Sequence, residues 1–482
     1  MSWMMKSPNT GTNSAMAPPN LLFIIADEHR RDALGCYGHP IVKTPHLDAL
    51  AARGVRFANA YTPSPMCVPA RAALAVGDHV HKLGNWDSAT PYNGLPRSWM
   101  HDVRDRGAET VSIGKLHFQK PDQDHGFTRE ILPMHVVDGV GWPIALLRDD
   151  PPEFAGASEL ARDAGRGESS YTRYDRSILA AAEDYLAARC DGQPFAAMVS
   201  FVSPHYPLTA PDDFYDLYPP GEMDWPIAYD QADRPDHPEI NNITRFFDYD
   251  RHFTADKIRR AKSAYYGLIS FIDHAVGRLI KALEQSGQAD NTIIIYTSDH
   301  GDMMGDHGIW TKQVMYEASA GIPMIMAGPG LPAGSVTETP VSLIDIAATA
   351  RAMFDCDAGN YPGADLRAIA NEADYLDRVV LSEYHDGGSS TGAFMVRFGR
   401  TKYVHYEGLP PQMFDLDGDP DERLPITDPA LLAEGERRLR HMLDPAAVNA
   451  RCFRDQAAKI AALGGREGIL AAKVFNHTPA PG

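Results

Sequence analysis

The chain is predicted to fold as an α/β protein, with a mostly parallel central sheet sandwiched by helices and a small C-terminal antiparallel sheet carrying a packed helix. Three observations predict it. Several short runs are apolar at every position rather than alternating; helical patterns stand between these runs; and after about residue 365 the segments become shorter and alternate. A strand that is apolar throughout is covered on both faces, which is the situation in a parallel sheet between two helix layers.

The continuous runs are Leu21 to Ala26, Thr110 to Ile113, Phe195 to Val202, Thr292 to Thr297 and Ile322 to Ala327. Between them, a helix is predicted from Pro45 to Arg53, with Thr44 as N-cap and Gly54 just past the end, and a long amphipathic one from about Lys257 to Gln285. The later segments are Val379 to Tyr384, Phe394 to Phe398 and Lys402 to Tyr406, followed by a helix from Pro429 to Met442. This divides the chain into an extended or disordered tail (1–18), a large α/β domain (19–365) and a small subdomain with a tail (366–482). The end of the chain from Gly464 is weakly patterned and is expected to reach towards a neighbouring subunit.

Of the 482 residues, 44% are hydrophobic and 23% charged, ordinary globular usage that supports a full core. No stretch approaches the roughly 20 apolar residues needed to span a bilayer, and the amino-terminal segment lacks the apolar core of a signal peptide. A soluble, cytoplasmic protein is expected, with Met16 as an alternative start. The cysteines, Cys36, Cys67, Cys190, Cys356 and Cys452, are odd in number and lack metal-type spacing, so reduced thiols are expected. A formal net charge of −19 argues against nucleic acid or an anionic membrane as partner. An anionic substrate would then depend on a local cluster of cations.

In open α/β sheets ligands collect beyond the carboxyl ends of the strands. Asp27 follows the first run, Lys115 and His117 the second, His205 the third, and Asp299 with His300 the fourth. Four run ends thus carry chemically capable side chains to one edge.

Cys67 stands in Pro65-Met66-Cys67-Val68-Pro69-Ala70-Arg71-Ala72-Ala73-Leu74. Proline in the first turn with good helix formers behind it places Cys67 at a helix N-terminus, where unpaired N–H groups and the positive dipole end favour an anion. Arg71, one turn on, returns its guanidinium to the same spot. Taken alone, such a Cys is more often a buried cap and such an Arg an ion-pair partner. The full Cys67-x-Pro69-x-Arg71 pattern, however, resembles the signature by which sulfatases have their cysteine oxidised to formylglycine by a separate modifying enzyme. It differs from the Cys-x5-Arg loop of protein tyrosine phosphatases, since Ala73 stands where that Arg would be. A hydrated aldehyde presents two hydroxyls: one attacks sulfur and displaces the alcohol, and the other, once deprotonated, expels sulfate and restores the aldehyde.

The resemblance implies further residues. Asp27 matches the family's first acidic metal ligand, and Asp299-His300-Gly301 after an apolar run resembles its later metal-binding segment. Many sulfatases have a second Asp beside the first; here Glu28 stands there, the weakest of the four ligands. Oxygen-rich ligation favours one Ca, Mn or Mg ion, and the imidazole keeps Zn in range. Lys115 and His117 resemble the pair that contacts formylglycine and the sulfate oxygens, and strand alternation would face both to one side. His205, in Pro204-His205-Tyr206-Pro207, and Lys312 match positions serving the leaving-group oxygen. Asn85 resembles an amide near the substrate oxygens of phosphonate monoester hydrolases. Asp302, Asp306 and His307 are read as structural.

The likeness runs from Pro19 to about Leu424, and the opening Ala26-Asp27-Glu28-His29 looks most like cytoplasmic choline-sulfatase-like and phosphonate-monoester-hydrolase-like members. It implies a small anionic ester as substrate, a formylglycine-generating enzyme as maturation partner, and a homo-oligomer, dimer or tetramer. Sulfate monoester hydrolysis is the leading reading. Phosphonate monoester or phosphodiester hydrolysis at the same site is the second, because all three heads are singly charged. A non-catalytic binding protein on the same fold is the third. The loops near 124–142 and 224–250 are where leaving-group specificity is expected, without a readable code.

Overall fold

The computed structural model describes residues 19–154, 156–189, 192–357, 359–472 and 477–481. The expected tail, residues 1–18, and Cys190 lie outside the described residues. An eight-stranded sheet is built from β1 (Asn20–Asp27), β2 (Val55–Phe57), β3 (Glu109–Lys115), β4 (Arg129–Met134), β5 (Phe195–Pro204), β6 (Thr292–Ser298), β7 (Met324–Ala327) and β8 (Ser335–Thr337), in the order β8-β2-β7-β6-β1-β5-β3-β4. The pairs among β6, β1, β5, β3 and β4 are all parallel. The fifth predicted run forms a strand, β7, but it runs antiparallel to β6 and β2.

Strand β1 shows why alternation is missing from the sequence. All eight of its residues are buried. Leu21, Phe23 and Ile25 enter one core with helix α2 (Cys67–Val76) and with Ile346 and Ala350 of a later helix, whereas Leu22, Ile24 and Ala26 enter another. That second core holds α1 (Pro45–Ala52), α3 (Ser170–Ala187) and α4 (Ala255–Gln285), the long amphipathic helix of the sequence reading. Burying both faces of a strand in this way is worth about 25 cal/mol per Å² of apolar surface removed from water.

Thr44 holds the N-cap position of α1 but makes no capping bond; its hydroxyl donates to Asp48 Oδ1 (3.1 Å) and accepts from the Gly35 N–H (2.9 Å). The smaller sheet, β9 (Val380–Tyr384), β10 (Ala393–Phe398), β11 (Thr401–Tyr406) and β12 (Gln412–Asp415), is fully antiparallel, and α5 (Pro429–Met442) packs on it through Leu439. Beyond the predicted elements, α6 (Pro445–Ala462) and α7 (Gly465–Ala471) are helical. Ala-rich stretches without strong patterning hid them. Residues 477–481, expected to reach a neighbour, lie against this chain's own α3, where the Tyr171 hydroxyl donates to the Thr478 carbonyl (2.6 Å). No helix among the described residues is long and apolar enough to cross a membrane.

Candidate active site

The four parallel strands that carry the predicted residues, β6, β1, β5 and β3, are adjacent in the sheet. Their carboxyl ends therefore meet. Asp27 closes β1, Lys115 closes β3, His205 follows β5, and Asp299 and His300 follow β6. Helix α2 points its first residue, Cys67, at the same place; its ten residues are all buried, which the small side chains of its Ala-rich sequence permit.

Asp27, Cys67, Asp299 and His300 place one ligand-type atom each within 4.8 Å of one another, and all four are buried. The Cys67 Sγ lies 3.1 Å from His300 Nε2 and 3.5 Å from Asp27 Oδ1. His300 Nδ1 faces the Gly301 carbonyl at 3.0 Å. A carbonyl only accepts, so Nδ1 carries the proton and Nε2 turns its lone pair to the cluster, as a metal-binding imidazole must. Two buried carboxylates, a thiol and an oriented imidazole are a donor set that fits a divalent cation.

Positive charge surrounds this cluster. Arg71 Nε donates to Asp299 Oδ2 (2.8 Å), and its Nη1 to the Lys115 carbonyl (2.9 Å) and Ser200 Oγ (3.0 Å); Nη2, 3.6 Å from Asp27 Oδ2, has no hydrogen-bond partner. Lys115 Nζ pairs with Asp27 Oδ2. Lys312 Nζ lies 3.4 Å from the Cys67 Sγ and 3.2 Å from Glu28 Oε2. Burial by itself would raise the Asp27 carboxyl, but Lys115, His205, Arg71 and Lys312 outweigh it and hold Asp27 well below the usual carboxylate range. Burial, with Asp27 beside it, pushes the Cys67 thiol up to about 11, so the unmodified side chain is a thiol rather than a thiolate.

Backbone irregularities aim these groups. The β3 ladder shifts register between Ile113 and Lys115, and Gly114 has φ +103°, with a Cβ there falling 2.2 Å from the Ser200 carbonyl oxygen. Only glycine fits. This bulge re-aims Lys115 towards Asp27. His117 lies beyond the strand end at φ +55°, so it reaches the pocket by a left-handed turn and not by the strand alternation anticipated for the pair. Neither of its ring nitrogens has a partner, and burial followed by Lys115 and Arg71 holds its pKa well below the usual value. It is a neutral imidazole open to a proton.

Two predicted residues stand apart from that first cluster in different ways. Glu28 is outside the cluster of Asp27, Cys67, Asp299 and His300 but forms a second buried group with Asp27 and His205, one ligand-type atom of each lying within 4.8 Å of the others; its Oε2 is 3.2 Å from Lys312 Nζ and 3.4 Å from His205 Nε2, and its Oε1 has no hydrogen-bond partner. Asn85 is outside the pocket lining; it follows the helix-ending Gly84, and its amide donates to the Thr90 carbonyl at 2.8 Å. Asp302 accepts from the Met304 and Thr311 N–H groups and so pins the loop bearing Lys312, a structural part as anticipated.

Other residues at the site had no signal in the sequence. Ser200 orients Arg71 from within β5, and Trp142, Phe154, Tyr171, Tyr206, Phe247, Tyr249 and His477 line the pocket above Cys67. Trp142 and Phe247 with Tyr249 do fall in the two loops set aside for specificity.

Fold and site together describe a class: an α/β protein whose parallel strand ends bring buried acidic, imidazole and cationic side chains to the N-terminus of a helix, chemistry suited to a metal-assisted hydrolase of anionic esters. Residues 19–355 match the sulfatase family profile, and the chain belongs to the sulfatase family as a sulfuric ester hydrolase. Over 474 residues it is 31% identical to a choline-sulfatase of Rhizobium meliloti, covering 92% of this chain and 90% of that one. An arylsulfatase of Clostridium perfringens is 28% identical, with 84% and 89% covered. Among solved structures, a phosphonate monoester hydrolase from Silicibacter pomeroyi superposes with a TM-score of 0.70 at 25% identity, covering 88% of this chain and 94% of that one.

Proposed function

We propose that the chain cleaves sulfate monoesters with residue 67 as nucleophile after conversion of its thiol to formylglycine, beside one divalent metal held by Asp27, Asp299 and His300. The observation that carries this is the position of the Cys67 Sγ, at the start of α2, 3.1 Å from His300 Nε2 and 3.4 Å from Lys312 Nζ. Ca, Mn or Mg suits the two carboxylates, and His300 brings Zn into range. Such an ion supplies Lewis-acid stabilisation of a non-bridging ester oxygen.

The chain's own groups do the rest. Arg71 and Lys115 hold the anionic head over the helix end. One hydroxyl of the hydrated aldehyde gives its proton to the Asp27 carboxylate, whose Oδ1 lies 3.5 Å from the Cys67 Sγ, and attacks sulfur as the S–O bond to the alcohol breaks. Lys312, the cation nearest the nucleophile, delivers a proton to the departing oxygen, with His205 beside it. His117 takes the proton of the remaining hydroxyl; the C=O bond reforms and the bond to sulfate breaks. The formylglycine-generating enzyme as maturation partner, a dimeric or tetrameric assembly and cytoplasmic residence belong to the same reading. The unpaired Cys36, Cys67, Cys356 and Cys452 suit a reducing compartment.

Phosphonate monoester or phosphodiester hydrolysis is the second reading, supported by the likeness to the Silicibacter enzyme. An aryl sulfate, a phenylphosphonate monoester and an aryl phosphodiester, compared by kcat/KM, rank the two. Sulfate first by at least an order of magnitude supports our reading; a phosphorus ester first replaces it with the second. Cys67→Ala run alongside checks that the turnover belongs to this site.

A further inference from the structure

We propose that the chain with an unmodified Cys67 holds a zinc ion to which the Cys67 thiolate is itself a ligand, beside Asp27, Asp299 and His300, so that residue 67 binds metal before it is made into a nucleophile. This rests on the metal site of the reading above but concerns the chain before modification. All four donors are buried, and they stand at the separations such an ion needs. Cys67 Sγ lies 3.1 Å from His300 Nε2 and 3.5 Å from Asp27 Oδ1, and His300 Nε2 lies 3.7 Å from both Asp27 Oδ1 and Asp299 Oδ1. A tetrahedral zinc ion, with bonds of about 2.0 Å to nitrogen and oxygen and about 2.3 Å to sulfur, sets its ligand atoms about 3.3 to 3.6 Å apart. The His300 Nε2 lone pair already faces the sulfur, because Nδ1 donates to the Gly301 carbonyl.

Charge favours sulfur as the added donor. Asp299 Oδ2 accepts from Arg71 Nε at 2.8 Å, its Oδ1 accepts from the N–H groups of Glu28 (3.2 Å) and His300 (3.0 Å), and Asp27 Oδ2 pairs with Lys115, so each carboxylate is already balanced by a cation. Lys312, 3.4 Å from Sγ, is balanced by Glu28 at 3.2 Å. A dication entering a balanced site calls for a further anion. The thiolate supplies one, whereas a hydrated aldehyde brings neutral hydroxyls. Softness points the same way: one thiolate, one imidazole and two carboxylates make a four-coordinate zinc set, while calcium and magnesium take six or more ligands, mostly oxygen. Binding breaks the S–H bond, forms the S–Zn bond and releases one proton to the buffer. Conversion to formylglycine removes the sulfur, and so changes the metal preference of the site together with its nucleophile.

Cobalt(II) is the probe, since it takes zinc sites and absorbs in the near ultraviolet when a thiolate binds it. Full-length protein made without a formylglycine-generating enzyme, its residue 67 verified as thiol by peptide mass, is stripped of metal and titrated with cobalt(II) and then zinc, beside Cys67→Ala and Cys67→Ser. Wild type is expected to show one thiolate-to-cobalt band per chain, displaced by one equivalent of zinc. Both variants are expected to lack the band and to bind zinc at least about 30-fold more weakly, because even the hydrogen-bond partners of metal ligands are worth about 10 to 100-fold in affinity. The formylglycine form should also lack the band, and its preference for zinc over manganese should fall at least about tenfold. The variants keep Cys36, Cys356 and Cys452, so a band that persists in them belongs to another thiol and overturns the proposal. So does zinc held equally by all three proteins, or by none. Sulfate release by the formylglycine form is scored separately: its absence overturns the hydrolase reading, while the zinc titration of the thiol form is decided by its own band and affinities.

Discussion

The floor and the wall of the pocket are built by opposite rules. The floor, Asp27, Cys67, Arg71, Lys115, Asp299 and His300, is charged or reactive, is almost wholly buried, and is delivered by the ends of three parallel strands, β6, β1 and β3, and one helix. The wall is mostly aromatic and comes from segments as far apart as Trp142, Phe247 and His477. The difference teaches where each property of the enzyme resides. On the proposed mechanism the reacting atoms belong to the sheet and to α2, whereas the wall mixes helical residues, Tyr171 of α3 and Phe247, with Trp142, Phe154, Tyr249 and His477 from irregular segments.

The largest effect is expected from the floor. Cys67→Ala should lower kcat/KM by more than about 10³-fold for every ester, since it removes the nucleophile outright. Equal losses across aryl, alkyl and methyl sulfates are the mark of a floor residue; a loss confined to one alcohol would break the comparison. Chelation of the metal, or Asp299→Asn, which weakens a ligand and the partner of Arg71 together, should cost on the order of 10² to 10³-fold in kcat. The chelated enzyme should recover on adding back a divalent ion.

Lys312 stands at the border between the two regions, 3.4 Å from Sγ and 5.6 Å from the Tyr206 ring centre. Lys312→Ala should cost about 10²-fold for esters of poorly leaving alcohols and little for nitrophenyl sulfates, read as a steeper dependence of log kcat on the alcohol's pKa. An unchanged slope would remove Lys312 from the departing oxygen.

Legibility in the sequence follows the same divide. Asp27, Asp299, His300 and Cys67 were singled out by their places at run ends and a helix start together with the resemblance of their motifs to those of sulfatases, and the structure brings the four together. Ser200 was hidden: a serine inside an apolar strand looks like any buried serine until Arg71 is seen to reach it. That Glu28 groups with Asp27 and His205 rather than with Cys67 was not legible, because spacing does not reveal its backbone turn at φ +69°. The wall was invisible since aromatic residues from separate helices and loops meet only when the chain closes. Helices α6 and α7 were missed for want of a strong apolar stripe.

A smaller effect tests the scaffold beneath the floor. Gly114→Ala would put a methyl group against the Ser200 carbonyl at φ +103°. It should cost roughly 2 to 4 kcal/mol in a denaturant titration and disturb Lys115, whereas Gly107→Ala, at φ +87° in open space, should cost only about 1 kcal/mol of backbone strain. A change confined to a pH window belongs to Asp175, which accepts from the Val202 and Ser203 N–H groups at the end of β5 and is pushed by burial up to about 6 from 3.8. Because the folded form holds this proton more tightly, the stability it contributes is full below pH 3.8 and is lost as pH rises through about 6. Wild type minus Asp175→Asn should show that decline in unfolding free energy between those limits; a difference that stays flat with pH would contradict it.

The central claim is that residue 67, set against Asp27, Asp299 and His300, works as an aldehyde. The direct measurement is the mass of the peptide carrying it, taken from protein made with and without a co-expressed formylglycine-generating enzyme, beside the specific activity of each sample. The account predicts a peptide that has exchanged a sulfur and two hydrogens for one oxygen, with sulfate release rising in proportion to the modified fraction. Full activity in a sample whose residue 67 is entirely thiol would contradict it.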